Sequence, residues 1–385
     1  MRIAVNAFFL QKPMTGSAEH LIGLLEGLDR VGGAEDYVLL YPRLEKNDTS
    51  QLPALGPRFQ MREIEGTSAR LGIRLGKIWW EQVAIRRACA ESGGDLLHSP
   101  YFASPLRPNV PTVVTIHDVI PLILPAYGRP MHTRLYTKLV SRAARQASAV
   151  ITVSEAAKRD IVRALGIPSE HVHVTYNAAD PRMRPVADAA ALDRLRGKFD
   201  ISGEYLLYFG GFDVRKNVER LLRAFHAARP NFDRPYSLIL AGSLNLVGHP
   251  LYPDPRPLIE ELGLGKEVIV TGRVSGEEKA LLYSAATAFV FPSLYEGFGI
   301  PVLEAMACGA PVITSNASSL PEVAGDAALL VDPSDAGAMA GAMVKLMNDA
   351  GLRQDMRIRG LRRAAQFNWD DSAARTLEVY RQVLS

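Results

Sequence analysis

A pair of α/β domains, each a doubly wound parallel sheet with helices on both faces, is the architecture this sequence predicts. Three observations point to it. The chain has 385 residues, about twice the usual length of one domain. Short, β-branched-rich apolar runs alternate with longer stretches of helical periodicity, the pattern of strands buried on both faces. The alternation is interrupted near residues 177–187 by Asn177-Ala178-Ala179-Asp180-Pro181 and Pro185.

The strands expected in the first half are Ile3–Ala7, Tyr37–Tyr41, Leu96–His98, Val113–Ile116 and Ala149–Val153. In the second half they are Tyr205–Phe209, Ser237–Ala241, Glu267–Thr271, Ala288–Phe291, Val312–Thr314 and Ala328–Val331. A short strand precedes the interruption and a helix around Ala190 to Lys198 follows it. A last helix, Asp371 to Leu384, comes after Trp369. The expected division is residues 1–182, joined by the returning helix 371–385, and residues 183–370. No repeat of solenoid period and no low-complexity tract is evident.

Composition narrows the function classes. With 48% hydrophobic and 22% charged residues the chain is globular and not disordered. Cys89 and Cys308 lie far apart without a CxxC or His partner, so neither a disulfide framework nor a zinc site is indicated, and a reducing cytoplasm is expected. Met1-Arg2-Ile3-Ala4-Val5-Asn6-Ala7 runs straight into a strand without the layout of an export signal. No apolar run reaches the length of a membrane span.

Charge is uneven. Residues 1–183 carry 22 Lys+Arg against 17 Asp+Glu, a net +5, and the remainder 22 against 24, a net −2. The positives gather in Arg70, Arg74, Lys77, Arg86 and Arg87 beside Trp79 and Trp80, and again in Arg129, Arg134, Lys138, Arg142 and Arg145. Such stretches suit anionic lipid headgroups or phosphorylated acceptors, and equally a solvated helix face with the tryptophans in the core. A total of +3 without a reading motif does not suggest nucleic acid.

The chemistry is expected around Phe291-Pro292-Ser293-Leu294-Tyr295-Glu296-Gly297-Phe298-Gly299-Ile300-Pro301-Val302-Leu303-Glu304. A buried strand ends at Phe291, a Gly-containing loop follows, and Pro301 suits the first turn of a helix. Gly297 and Gly299 admit close approach of a ligand, and the amides of a helix start suit phosphate oxygens. Glu296 and Glu304 bracket that start, each able to accept from hydroxyls, an arrangement suited to a nucleotide-sugar with hydroxyls at both ends. Acidic residues favouring the helix dipole are the plainer alternative.

Here the sequence resembles the retaining glycosyltransferases of family 4, which have the GT-B fold of two Rossmann-like domains facing across a cleft. Glu296 to Glu304 matches that family's E-x7-E motif. Ser318-Ser319-Leu320-Pro321-Glu322-Val323 and Gly325-Asp326-Ala327-Ala328-Leu329-Leu330-Val331-Asp332-Pro333 match its continuation. The match extends over nearly the whole chain and is most like bacterial mannosyltransferase-type members that build surface polysaccharides. The resemblance implies that Glu304 holds ribose hydroxyls of the donor and Glu296 hydroxyls of the transferred sugar. Phe298 and Gly299 would add backbone contacts to that sugar, with Ile300 also among the substrate-binding residues.

Tyr208-Phe209-Gly210-Gly211-Phe212-Asp213-Val214-Arg215-Lys216-Asn217 is a second family match. Expulsion of a nucleoside diphosphate builds negative charge, which fixed cations stabilise, so Lys216 and then Arg215 are assigned to it. Many relatives carry an arginine where this chain has Gly211. Thr115-Ile116-His117-Asp118 puts His117 at the carboxyl end of a parallel strand, where such sheets bind ligands. It resembles the family's active-site histidine near donor sugar and acceptor. Asp118 would orient the imidazole, serve the acceptor, or cap the following loop. Gly16, in Met14-Thr15-Gly16-Ser17-Ala18-Glu19-His20, resembles the loop that approaches the donor, without the double glycine of some relatives. Gly272-Arg273-Val274-Ser275 resembles the base-binding turn, with Val274 nearest the base through main-chain groups. Asn177 and Trp369 resemble hinge and crossover positions.

The resemblance thus implies an acceptor-binding first domain, a nucleotide-sugar-binding second domain and transfer with retention of configuration, with mannose from GDP-mannose as the expected donor. The acceptor would be a glycan or lipid-linked oligosaccharide, and the site of work the cytoplasm, with the inner face of the cell membrane open as a place of contact. No DxD sits in a metal-binding loop, so no metal or other cofactor is expected. UDP-glucose is the alternative donor, and an epimerase or hydrolase of nucleotide-sugars the alternative reaction. A two-lobed binding protein would not need Glu296, Glu304 and Lys216 together. A nicotinamide enzyme would need a G-x-G-x-x-G that residues 1–20 lack.

Overall fold

A computed structural model describes residues 1–11, 15–43, 53–64, 75–128, 130–244 and 249–385. Arg70, Arg74, Arg129 and Met14 lie outside the described residues. The chain divides into two compact units, Met1–Asn177 with Asn368–Ser385, and Ala178–Phe367. The first boundary lies at the start of the interruption at residues 177–187, five residues before the expected 182/183, and the return to the first unit begins at Asn368, three residues before the expected 371.

The first unit is built on seven parallel strands: β1 (Arg2–Asn6), β2 (Asp36–Pro42), β3 (Phe59–Ile64), β4 (Leu96–Ser99), β5 (Thr112–Ile116), β6 (Ala149–Thr152) and β7 (Val172–Val174), in the order β3-β2-β1-β4-β5-β6-β7. The central strands β4, β5 and β6 are buried at every residue, which is why they read as unbroken apolar runs. β3 was not anticipated. It is an edge strand, Phe59-Gln60-Met61-Arg62-Glu63-Ile64, and its partly exposed, charged pattern carries little of that signal.

The returning helix is Trp369–Leu384 and begins two residues earlier than expected, because the Asn368 side chain accepts from the Asp371 amide at 2.8 Å and so caps it. It lies against the helix Gly16–Val31. A Cβ at Gly23 would come within 2.2 Å of the Trp369 ring, and one at Gly27 within 2.4 Å of the Trp369 carbonyl. Two glycines four apart therefore let the helices touch. Tyr380 shares a 2.6 Å hydrogen bond with Nδ1 of buried His98, and Arg381 pairs with Glu35 at 2.8 Å, fixing the far end.

The second unit has six parallel strands: β8 (Tyr205–Phe209), β9 (Ser237–Ala241), β10 (Val268–Gly272), β11 (Ala288–Phe291), β12 (Val312–Ser315) and β13 (Ala328–Val331), in the order β10-β9-β8-β11-β12-β13. The order reverses between β8 and β11, as it does between β1 and β4 in the first unit. In open sheets of this kind ligands bind beyond the carboxyl ends of the strands at that reversal. Among the described residues no helix is long and apolar enough to cross a membrane.

Candidate functional site

The loop after β8 and the loop after β11 leave the second sheet on either side of its reversal, and they carry the predicted cations and Glu296. After β8 the chain makes a short 3-10 turn, Val214–Lys216, and Asn217 then takes a left-handed conformation with φ 62°. Its buried amide donates to the carbonyls of Pro292 and Pro333 at 3.1 and 2.7 Å. The Leu294 amide donates back to the Arg215 carbonyl at 2.8 Å. These bonds lock the two loops together, so the placement of Arg215 and Lys216 is set by backbone partners and not by their own long side chains.

Both cations converge on Glu296. Lys216 Nζ lies 2.6 Å and Arg215 Nη1 2.8 Å from Glu296 Oε1, with the side chains only 12 to 14% exposed. Arg215 also donates to the Tyr295 carbonyl at 2.9 Å, Arg215 Nε lies 3.4 Å from Asp213, and the Lys216 ammonium stands over the Phe291 ring. Burial would push the Glu296 carboxyl up, but the Lys216 and Arg215 charges prevail and hold it below the usual carboxylate range. The Glu296 amide donates to Ser318 Oγ at 2.8 Å, and the Ser319 hydroxyl donates to the Phe298 carbonyl at 2.6 Å. The matched Ser318-Ser319 pair thus braces the glutamate loop.

Gly299 caps the helix Ile300–Ala307 with φ 117° and ψ 44°. A Cβ there would sit 2.6 Å from Leu320 Cδ2, so both conformation and space require glycine. Phe298 is buried with its ring on Phe367, and Ile300 opens the helix half-buried. Glu304, one turn further, is 1% exposed. Its Oε1 pairs with Lys279 Nζ at 2.5 Å, and the Tyr283 hydroxyl lies 3.4 Å from Oε2. Lys279 went unnoticed in the sequence because a single lysine behind the Ser275–Glu278 capping box looks like any exposed helix residue. Val274, just before that box, is buried, and Gly272 turns at φ 70°.

In the first unit His117 follows β5, half-buried, with Nε2 3.3 Å from the Pro100 carbonyl. A carbonyl only accepts, so Nε2 carries the proton. Burial lowers its pKa to about 4. Asp118 accepts from the Ile120 amide at 3.0 Å, a bond that caps the following loop. Gly16 is the first residue of its helix, and a Cβ there would meet nothing within 4 Å, so the folded chain itself does not require glycine. His20 was missed as a neighbour of His117: their rings meet edge to face at 4.6 Å, and His20 Nδ1 lies 2.8 Å from Asn177 Oδ1. Asn177 therefore ties the end of the first unit to the helix Gly16–Val31.

The first basic stretch is not a solvated face at Lys77. Its ammonium pairs at 2.7 Å with fully buried Glu81, bonds the Tyr136 hydroxyl, and lies over the Tyr101 and Tyr136 rings. Trp80 is buried and donates to Asn6 Oδ1 at 3.0 Å. This network sits at the carboxyl ends of β1 and β4. Charge along the sequence suggested a surface because nothing there shows which residue Glu81 faces.

Residues 14–182 match the Glycosyltransferase Family 4 model and residues 193–363 the Glycosyl transferases group 1 model. The chain is 33% identical over 287 residues to the O-antigen chain mannosyltransferase B of Escherichia coli, covering 74% of each protein. It is 30% identical over 72% of its length to the serotype-specific mannosyltransferase WbdA of Escherichia coli, spanning about a third of that longer protein, 34%. Among solved structures, sucrose-phosphate synthase from Thermosynechococcus elongatus superposes with a TM-score of 0.78 at 25% identity, over 100% of this chain and 99% of that one. The fold is GT-B in kind, and the chain belongs to glycosyltransferase family 4.

Proposed function

We propose that this chain transfers a sugar, with retention of configuration, from a nucleoside diphosphate donor to a glycan or lipid-linked oligosaccharide, and that the sugar is mannose carried by GDP. The observation that carries the reading is the meeting of Arg215, Lys216 and Glu296 at the reversal of the second sheet. Two fixed cations beside a helix start are suited to the charge that develops on a departing diphosphate, without reorganisation at the moment of reaction. With these donors present the transfer needs no metal in this reading. Glu296, released from part of its pairing, accepts from hydroxyls of the sugar, and Glu304 from those of the ribose. Phe298, Gly299 and Ile300 line the sugar, and the main chain at Val274 meets the base. Gly16 allows close approach of the donor, and neutral His117 hydrogen-bonds the transferred sugar or its acceptor. The mannosyltransferase names of the relatives support mannose over glucose.

The helix Met131–Arg145 favours a membrane surface, the cytoplasmic face in this reading, as the place of work. Met131 is 74% and Leu135 60% exposed, beside exposed Arg134, Lys138, Arg142 and Arg145, and the helix carries no carboxylate. Such a face suits an anionic bilayer that holds a lipid-linked acceptor.

Calorimetric titration with GDP-mannose, GDP, UDP-glucose and UDP tests the donor, with Lys216→Ala as control. GDP-type binding weakened in the variant supports the reading, and UDP-type binding overturns the mannose assignment. Formation of an α-linked product only when a glycan acceptor is present separates transfer from hydrolysis or epimerisation.

A further inference from the structure

Glu304 is approached on both oxygens from one neighbouring helix, Gly276–Ala285. Lys279 Nζ stands 2.5 Å from Oε1 and the Tyr283 hydroxyl 3.4 Å from Oε2, four residues apart and so on one face of that helix. The Lys279 side chain is 14% exposed, and its ammonium lies 5.0 Å from the centre of the Phe209 ring at the carboxyl end of β8. Its charge also acts on Asp180, whose carboxyl is lowered chiefly by Arg182 against the effect of burial. A lysine held this far from water carries a desolvation cost that an apolar pair of the same volume would avoid. The pair is therefore better understood by what the carboxylate has to do than by what it adds to stability.

We infer that Lys279 is a positioning residue for the recognition of a vicinal diol by Glu304. The ammonium on one oxygen and the tyrosine on the other fix the plane of the carboxylate, which has capacity for several donors and can then accept from two adjacent hydroxyls at once. The ribose of a nucleoside diphosphate supplies such a diol, so the inference rests on the donor reading above. It adds that selection of ribose over a deoxyribose is set by a residue on a helix outside the E-x7-E segment.

The test is calorimetric titration with GDP, UDP and the 2′,3′-dideoxy forms of both. It is carried out on the unaltered protein, Lys279→Met, Lys279→Arg and Glu304→Gln, with melting temperatures to establish folding. The unaltered protein should prefer the ribo form of whichever diphosphate it binds by about ten- to a hundredfold, the range for hydrogen bonds to a charged group. Lys279→Met should lose most of that preference by weakening the ribo form alone, and Glu304→Gln should bring it close to unity. If the buried carboxylate left by Lys279→Met prevents folding, Lys279→Arg decides. A planar fork cannot reproduce the ammonium contact, and the preference should fall by at least about threefold. Equal weakening of ribo and dideoxy forms, or an unchanged preference in a folded variant, overturns the inference while leaving the donor reading intact. Binding of neither diphosphate by the unaltered protein overturns both.

Discussion

Lys216 and Glu296 form a 2.6 Å ion pair, and Arg215 shares the same carboxylate oxygen at 2.8 Å. The cations proposed to meet a diphosphate are thus already balanced within the protein. In the proposed reading an incoming diphosphate would compete with Glu296 for them, and the carboxylate would become available to a sugar as the diphosphate arrives.

Glu296→Gln separates these roles. Removing the negative charge leaves two largely buried cations short of a partner, so the melting temperature should fall, and added GDP or UDP should restore it. Diphosphate affinity should rise by about three- to tenfold while turnover falls by about a hundredfold or more. Calorimetry and a product assay on the same preparation check both halves. A variant that binds diphosphate more weakly would contradict the competition.

Acid should weaken the first unit. Burial, together with His117 beside His20 and His20 beside His98, lowers the pKa of His20 and of His98 to about 3 from 6.5. Their unfolded forms therefore take up protons that the folded forms refuse. Stability from this source is complete above pH 6.5 and is lost as pH falls from there toward 3, by about 2 kcal/mol per histidine at pH 5. Urea unfolding at pH 7 and pH 5, followed by the fluorescence of Trp79, Trp80 and Trp369, all in the first unit, measures it. His98→Gln should remove its share of the pH dependence and destabilise at pH 7 through the lost bonds to Thr115 and Tyr380.

Two glycines should answer alanine differently. Gly299→Ala meets Leu320 and a left-handed backbone, so a loss of about 1–3 kcal/mol in stability is expected. Gly16→Ala meets nothing in the folded chain and should leave the melting temperature unchanged. If a ligand approaches its backbone, activity should still fall, by about tenfold or more. Thermal melts and kinetics of both variants settle the contrast.

Binding to vesicles rich in phosphatidylglycerol should be strong at low salt, weak at high salt and absent with neutral lipid. Met131→Asp with Leu135→Asp should abolish it without changing the melting temperature, since both side chains are exposed. Sedimentation with vesicles reads this directly, and retained binding in the double variant would place the contact elsewhere.

How much of this was legible follows from which interactions are local. Buried parallel strands announce themselves as apolar runs, and a strand that ends in a glycine loop before Pro301 reads as a ligand-binding helix start. The two units, and the loops and helix start that carry Arg215, Lys216, Glu296 and Glu304, could therefore be located without coordinates. The edge strand Phe59–Ile64 could not, because only Phe59 is buried and Gln60, Arg62 and Glu63 break its apolar run. Lys279, Glu81 and His20 were hidden for another reason. Each matters through a partner that is remote in sequence: Glu304, Tyr136 and His117 respectively.

By itself, then, the sequence determined the alternation of strands and helices, the interruption at residues 177–187 and the residue types proposed to meet a nucleotide-sugar, because periodicity and motif spacing are written along the chain. Tertiary structure alone decided that Arg215 and Lys216 share Glu296, that Lys279 pairs with Glu304, and that Lys77 is an internal cation. Pairing of charges across a sheet reversal depends on distances between strands that no local pattern encodes.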